Sequence, residues 1–296
     1  MIETQIVTTK TQRRFVIEKD DTLYSQRLGG DNRGYQIGNV RRLRDLVPSP
    51  RHIIDVGANI GNNSIEYATW AEQVSSFEPT PHTRDWLEQN IQYNKANWTN
   101  QEGWYKTSDG WADMDPKAPI TVYPYALSNK NYTTSIVHHE KNGGHNHLAR
   151  QGHWVRSKES GVYDLWDDEY TSKTKKTQFD VEARTLDSFG FTEVDAIKID
   201  VEGWELMVVE GGEQTILRDR PVIQTEIVEN QCRKAGYHAD DLVKWFHDRD
   251  YVRTMRDASV ITDKNYVKIP KMMDSFWVPR EQLKSTFLDL FEEISA

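Results

Sequence analysis

Apolar residues along this chain fall into short runs divided by polar, glycine-marked turns. Ile53 to Val56, Val74 to Phe77, Val194 to Ile199 and Pro221 to Ile227 have the length and composition of buried strands. Between them the apolar period changes. Ile65, Ala68 and Trp70 fall roughly at helical spacing, and 82–98 reads as a helix with Trp86, Leu87 and Ile91 on its inner side. Helices are also expected over 202–211 and over 239–249, the latter carrying Leu242, Val243, Trp245 and Phe246. Ile120 to Leu127 reads as one strand in which Pro124 marks a bend or an edge. Thr133 to His138 and Phe179 to Ala183 read as further strands. Tyr251 to Met255 and Asp274 to Val278 suit an antiparallel edge pair, and 283–294 a terminal amphipathic helix. Strands alternating with helices predict a mostly parallel, doubly wound α/β sheet.

The flanks read differently. Ile2 to Val7 and Phe15 to Ile17 are short strand candidates, 24–36 is a glycine-bearing loop, and 37–47 has a helical period that Pro48 and Pro50 stop. Residues 1–50 are therefore expected to form an N-terminal lid or edge. Residues 51–296 form one domain with aperiodic, aromatic insertions at 98–119 and 151–178.

Composition narrows the partners. The chain has 296 residues and a net charge of −9, which argues against the basic face that nucleic acid requires. No stretch approaches the ~18 apolar residues of a membrane span. Cys232 is the single cysteine, so no internal disulfide can form and a reducing, cytoplasmic setting is expected.

Three motifs carry chemistry. Asp55-Val-Gly57-Ala-Asn59-Ile-Gly61 is a strand end turning sharply into a helix, where free N–H groups face a ligand. Its G-x-x-x-G spacing lacks the middle glycine of a dinucleotide fingerprint. Asp55 would repel a pyrophosphate and suits a cationic group, such as the ammonium of S-adenosylmethionine. Glu78 lies 23 positions later at the next strand end, where an acid accepts from ribose hydroxyls. The run 197–203 ends a third strand with Asp200 and Glu202, and Glu226 sits at comparable height on the next. Asp200 can take a proton from a hydroxyl, or join Glu202 and Glu226 around a divalent metal. His145, in a glycine-rich loop, is a second candidate base. The histidines show no zinc-ligand spacing.

Taken together the chain resembles the FkbM family of S-adenosylmethionine-dependent methyltransferases. The resemblance rests on DVGANIG at 55–61, FEPTP at 77–81, QNIQYN at 89–94, YALS at 125–128, RTLDSF at 184–189, IKIDVEGWEL at 197–206, GG at 211–212 and RPVIQTEI at 220–227. It implies the class I Rossmann-like fold, a seven-stranded sheet with helices on both faces, and O-methylation of a sugar, a glycan or a small hydroxylated metabolite. It implies that Asp55, Gly57, Asn59 and Gly61 surround the methionine end of the cofactor, with Glu78 on the ribose and Ala126 and Leu127 near the adenine. It implies that Asp200 and Glu202 line the reaction pocket. The family usually has histidine where this chain has Trp204, so no base is expected there. A nicotinamide-dependent oxidoreductase or epimerase on the same sheet is the alternative; the absent fingerprint and the absent YxxxK pair oppose it. A non-catalytic cofactor-binding or glycan-recognition module is a third reading, in which the intact Asp55 and Glu78 argue that at least cofactor binding is retained.

Overall fold

The structure, a computed structural model, describes residues 3–9, 13–19, 21, 24, 28, 36–96, 118–139, 147–148, 176–255 and 272–283. Most of both expected insertions, the expected terminal helix beyond 283, and His145 lie outside the described residues.

The N-terminal strands β1 (Thr4–Thr8) and β2 (Arg14–Glu18) pair as an antiparallel hairpin. Helix α1 (Ile37–Leu46) leads into β3 (His52–Val56), α2 (Asn62–Tyr67), β4 (Gln73–Phe77), α3 (Pro81–Ala96) and β5 (Ile120–Tyr123). Then come β6 (Tyr125–Leu127), β7 (Tyr132–His139), β8 (His147–Leu148), β9 (Lys176–Arg184) and a 3₁₀ turn over Leu186–Phe189. The second half runs β10 (Val194–Ile199), α4 (Glu205–Gly211), α5 (Glu213–Asp219), β11 (Val222–Val228), α6 (Glu229–Ala235), α7 (Ala239–His247), β12 (Tyr251–Thr254) and β13 (Met272–Pro279).

The expected seven-stranded sheet forms in the order β12-β13-β11-β10-β3-β4-β5. The pairs β5/β4, β4/β3, β3/β10 and β10/β11 are parallel, and β13 runs antiparallel to both β11 and β12. Strand β3 is buried at all five positions because both faces of the sheet are covered, and its two polar members, His52 and Asp55, are partnered by Ser75 and by Lys198 and Ser64. One face packs Ile54, Ile197 and Ile223 with Phe246 and Trp277, whose rings stack at 4.2 Å. The other packs Ile53, Ala196 and Val222 beneath Val40 and Leu43 of α1 and Tyr67 of α2.

Two elements differ from the sequence reading. The single strand expected over 120–127 is two: β5 closes the main sheet, and β6 pairs with β9 in a separate four-stranded sheet of order β6-β9-β7-β8. Pro124 sits at the break, where its missing N–H cannot continue a ladder. The helix expected from 202 begins only at Glu205, because Glu202 and Gly203 hold left-handed backbone at φ 54° and φ 98°. Asp200 and Glu202 therefore stand on a loop outside the helix. Helices α5 and α6 are additional to the sequence reading.

Helix α3 holds the N-terminal hairpin with side-chain amides acting as a strand edge. Asn90 Oδ1 accepts from Val16 N at 2.5 Å, and its Nδ2 donates to Val16 O at 3.2 Å and Ile60 O at 2.8 Å. Asn94 does the same for Arg14, at 3.2 and 2.9 Å. Phe15, Ile17, Tyr24 and Leu28 then pack with Ala58 and Ile60 of the β3–α2 turn. The hairpin thus covers the glycine turn.

Candidate active site

The C-terminal ends of β3, β4, β10 and β11 open into a cavity of about 1000 Å³, counted with its open mouth. This is where open α/β sheets place ligands. Gly57, Asn59 and Glu78 line one side, Ala126 and Leu127 the next, and Asp200, Glu202 and Glu226 the far wall. Tyr24 and Gln36 from the N-terminal region also reach it.

Glu78 is built as an acceptor. Its Oε2 takes the N–H of Asn59 at 3.0 Å and its Oε1 that of Thr80 at 2.9 Å. Asn59 can donate because the turn places it at φ 51°, beside Gly57 at φ 75°. Burial pushes the Glu78 carboxyl up from the usual range, and these hydrogen bonds oppose that rise. Two carboxylate oxygens offer about four lone-pair sites, so two backbone donors leave room for a diol.

Gly57 is required twice over. Besides its positive φ, a Cβ there would lie 2.0 Å from the carbonyl oxygen of Asp200. The turn and the far wall touch at this point, and Asp200 N donates to Val56 O at 3.1 Å.

Asp55 and Gly61, expected against the cofactor, do not line the cavity. Parallel register places Asp55 beside Lys198 on one face of the sheet. Lys198 Nζ lies 3.2 Å from Asp55 Oδ1 and 3.8 Å from Asp200 Oδ2, and it donates to Gly57 O at 2.8 Å. Ser64 Oγ donates to Asp55 Oδ2 at 2.5 Å. Asp55 is thus a buried anchor for Lys198, and the lysine is the part that reaches the cavity. Gly61 opens α2 at φ 85°, where a Cβ would meet Leu87 Cδ1 at 2.4 Å. Its place is packing.

The far wall is acidic. Asp200 Oδ2 accepts from Gln36 Nε2 at 3.2 Å. Glu202 accepts from Gln231 Nε2. Burial first, then the neighbouring charges of Asp200, Glu226 and Glu205, push the Glu202 carboxyl well above the usual carboxylate range. Burial, with Asp200 and Asp274 nearby, pushes Glu226 up to about 8. Glu205, raised to about 7 mainly by burial, ties the loop: it accepts from Val201 N at 3.2 Å and Gly203 N at 3.1 Å. Trp204 lines the cavity and donates from Nε1 to Ser128 Oγ at 3.3 Å. Among the described residues no group of three or more His, Cys, Asp or Glu side chains is arranged to hold a metal ion. Tyr24 and Gln36 were read from sequence only as loop residues, and no periodic or motif signal marks them.

Residues 55–253 match the Methyltransferase FkbM domain. Methyltransferase sdnD of Sordaria araneosa is 28% identical over 179 residues, which cover 56% of this chain and 61% of that protein. The chain thus spans about three-fifths of the length of this curated relative. Among solved structures, a methyltransferase FkbM from Methylobacillus flagellatus is similar at a TM-score of 0.39 and 15% identity, over 77% of this chain and 43% of that one. A putative methyltransferase from Streptococcus mutans in complex with S-adenosylhomocysteine is similar at 0.39 and 8%, over 81% and 94%. The domain match covers about two-thirds of the chain, and its bounds enclose the glycine turn, Glu78 and the acidic wall. The chain belongs to the FkbM methyltransferase family.

Proposed function

We propose that this chain is an S-adenosylmethionine-dependent O-methyltransferase acting on a hydroxyl of a sugar, a glycan or a small hydroxylated metabolite. The observation that carries this reading is Glu78, fixed by two backbone N–H groups in a cavity that Asp200, Glu202 and Glu226 also line. The residues fit the cofactor: Glu78 suits a ribose diol, Ala126 and Leu127 an adenine face, and the Gly57–Asn59 turn the methionine end. Bound there, S-adenosylmethionine would supply an activated sulfonium methyl for transfer to the acceptor oxygen, with S-adenosylhomocysteine as the leaving product.

The chain's own residues then have two tasks. They must align the acceptor oxygen and exclude water. They must also take the hydroxyl proton as the new bond forms. Asp200 is the base, because its carboxylate lines the cavity, with Lys198 Nζ 3.8 Å from its Oδ2. Glu226, pushed up to about 8 by burial and by Asp200 and Asp274, holds its proton near neutral pH and can donate to another oxygen of the acceptor, beside Glu202, which burial and the charges of Asp200 and Glu226 also push up. The setting is a reducing one such as the cytoplasm, where the buried Cys232 thiol, pushed up to about 12, stays inert.

The test is transfer of labelled methyl from S-adenosylmethionine to a panel of hydroxylated acceptors. The product should carry the label on oxygen, and Asp200→Asn should lower turnover at least ~100-fold, the low end for a general base. Label on nitrogen or carbon, or full turnover in Asp200→Asn, would overturn the assignment.

A further inference from the structure

Three side-chain amides run in file from α2 to the acidic wall. Asn62 Nδ2 donates to Asn63 Oδ1 at 3.1 Å, Asn63 Nδ2 to Gln36 Oε1 at 2.7 Å, and Gln36 Nε2 to Asp200 Oδ2 at 3.2 Å. Every amide turns its N–H toward Asp200 and its carbonyl away. The direction has a chemical cause. An ionised carboxylate only accepts, so Gln36 must offer it the NH₂ group, which leaves the Gln36 oxygen for Asn63. Such chains polarise one another and strengthen toward the charged end.

Gln36 is held in place for this contact. It immediately precedes α1 with left-handed backbone, φ 58° and ψ 14°, a conformation uncommon outside glycine. Asn62 and Asn63 are the first two residues of α2, both buried. Among the described residues Gln36 is the only hydrogen-bond donor to the Asp200 side chain, and Oδ1 accepts no hydrogen bond. The other charged or titratable groups facing Asp200 are Lys198, Glu202, Glu205 and Glu226, with Asp55 and the buried Tyr67 phenol behind them. Lys198 is drawn toward Asp55 and the Gly57 carbonyl, nearer than Asp200. Gln36 also lies outside the matched domain, 55–253, so the last link of the relay comes from the N-terminal region.

We propose that the Asn62–Asn63–Gln36 relay positions Asp200, holding its Oδ2 and leaving Oδ1 to receive the acceptor hydroxyl. This rests on the reading of Asp200 as the base. Gln36 is a positioning residue, and its effect is visible without an acceptor.

The experiment is a pH titration of the aspartate ¹³Cγ signals in the full chain. The variants are Gln36→Met, Asn63→Ala and their double, with S-adenosylhomocysteine affinity measured on the same samples. In Gln36→Met the Asp200 signal should titrate about one pH unit higher than in the parent, because the ionised form loses a charge-assisted hydrogen bond. Asn63→Ala should move it less, and the double variant no further than Gln36→Met. Cofactor-product affinity should stay within about threefold throughout. An unmoved Asp200 midpoint in Gln36→Met, shifts that add in the double variant, or a variant that loses S-adenosylhomocysteine would each overturn the relay. Gln36→Asn, which keeps the amide on a shorter arm, reads the same shift if Gln36→Met does not fold. Failure of the parent protein to bind S-adenosylhomocysteine would instead count against the cofactor reading, and the titration would still report on the relay.

Discussion

The two walls of the cavity are made in opposite ways. The donor wall comes from one contiguous stretch: β3, the Gly57–Gly61 turn, α2 and β4 to Glu78 lie within 30 residues of each other, and their contacts are mostly local. The acceptor wall is gathered from afar. Gln36 reaches Asp200 across 164 positions, and Glu226 and Asp274 meet in the register of two antiparallel strands. A local wall is specified by turn chemistry, in which each residue has a backbone reason. A gathered wall is specified by strand register and helix packing, which no short motif encodes.

The seam between the walls is Lys198, and breaking it has the largest expected effect. Lys198 is 3% exposed and Asp55 fully buried, so Lys198→Met leaves an uncompensated buried carboxylate. The expected loss is about 3–5 kcal/mol in urea unfolding. Adding Asp55→Asn should recover part of it; a lysine variant as stable as the parent would mean the seam is not structural.

Next in size is the donor wall alone. Glu78→Ala removes the acceptor that Asn59 and Thr80 hold in place. S-adenosylhomocysteine should bind about 10–100-fold more weakly by calorimetry, the worth of a hydrogen bond to a charged group. An equal loss from Glu226→Gln would erase the distinction between the walls.

The acceptor wall should show itself through pH. Glu226 is raised to about 8 in the fold against about 4.3 in an unfolded chain. The native state therefore holds more protons between those values, and the stability this contributes is present below about 4.3 and lost as pH rises through about 8. Melting temperature should fall over this window, and Glu226→Gln should flatten the fall. A parallel pH profile in the variant would sink the assignment.

The smallest effect concerns the hairpin that covers the donor turn. Asn94→Ala removes two hydrogen bonds to Arg14, costing about 1–2 kcal/mol and raising amide exchange in β2 ahead of the sheet. Unchanged exchange would show that the Asn94 bonds to Arg14 do not hold the hairpin, leaving it to Asn90 and apolar packing.

The same contrast explains what the sequence made legible. The run at 194–199 is bounded as read, because a strand covered on both faces is predominantly apolar even with Asp195 and Lys198 inside it. Glu78 was legible from its distance to the glycine turn. Asp55 was legible as important but not in its place: only the β3–β10 register turns it toward Lys198 and under the cavity floor. Pro124 signalled a break, yet nothing local says that the chain leaves one sheet for another there. Glu205 reads as one more helical acid, although it accepts the two N–H groups that shape the loop carrying Glu202. Gln36 was illegible, since its partner lies on the opposite half of the chain.

The central claim is that this cavity binds a methyl-cycle cofactor through Glu78, and calorimetry of the full chain tests it most directly. S-adenosylmethionine and S-adenosylhomocysteine should each bind at one site and NAD should not, with Glu78→Ala weakening both. At ~100 times the dissociation constant either ligand should stabilise the protein by about 2.7 kcal/mol. Binding of NAD with no response to either methyl-cycle ligand would contradict the account.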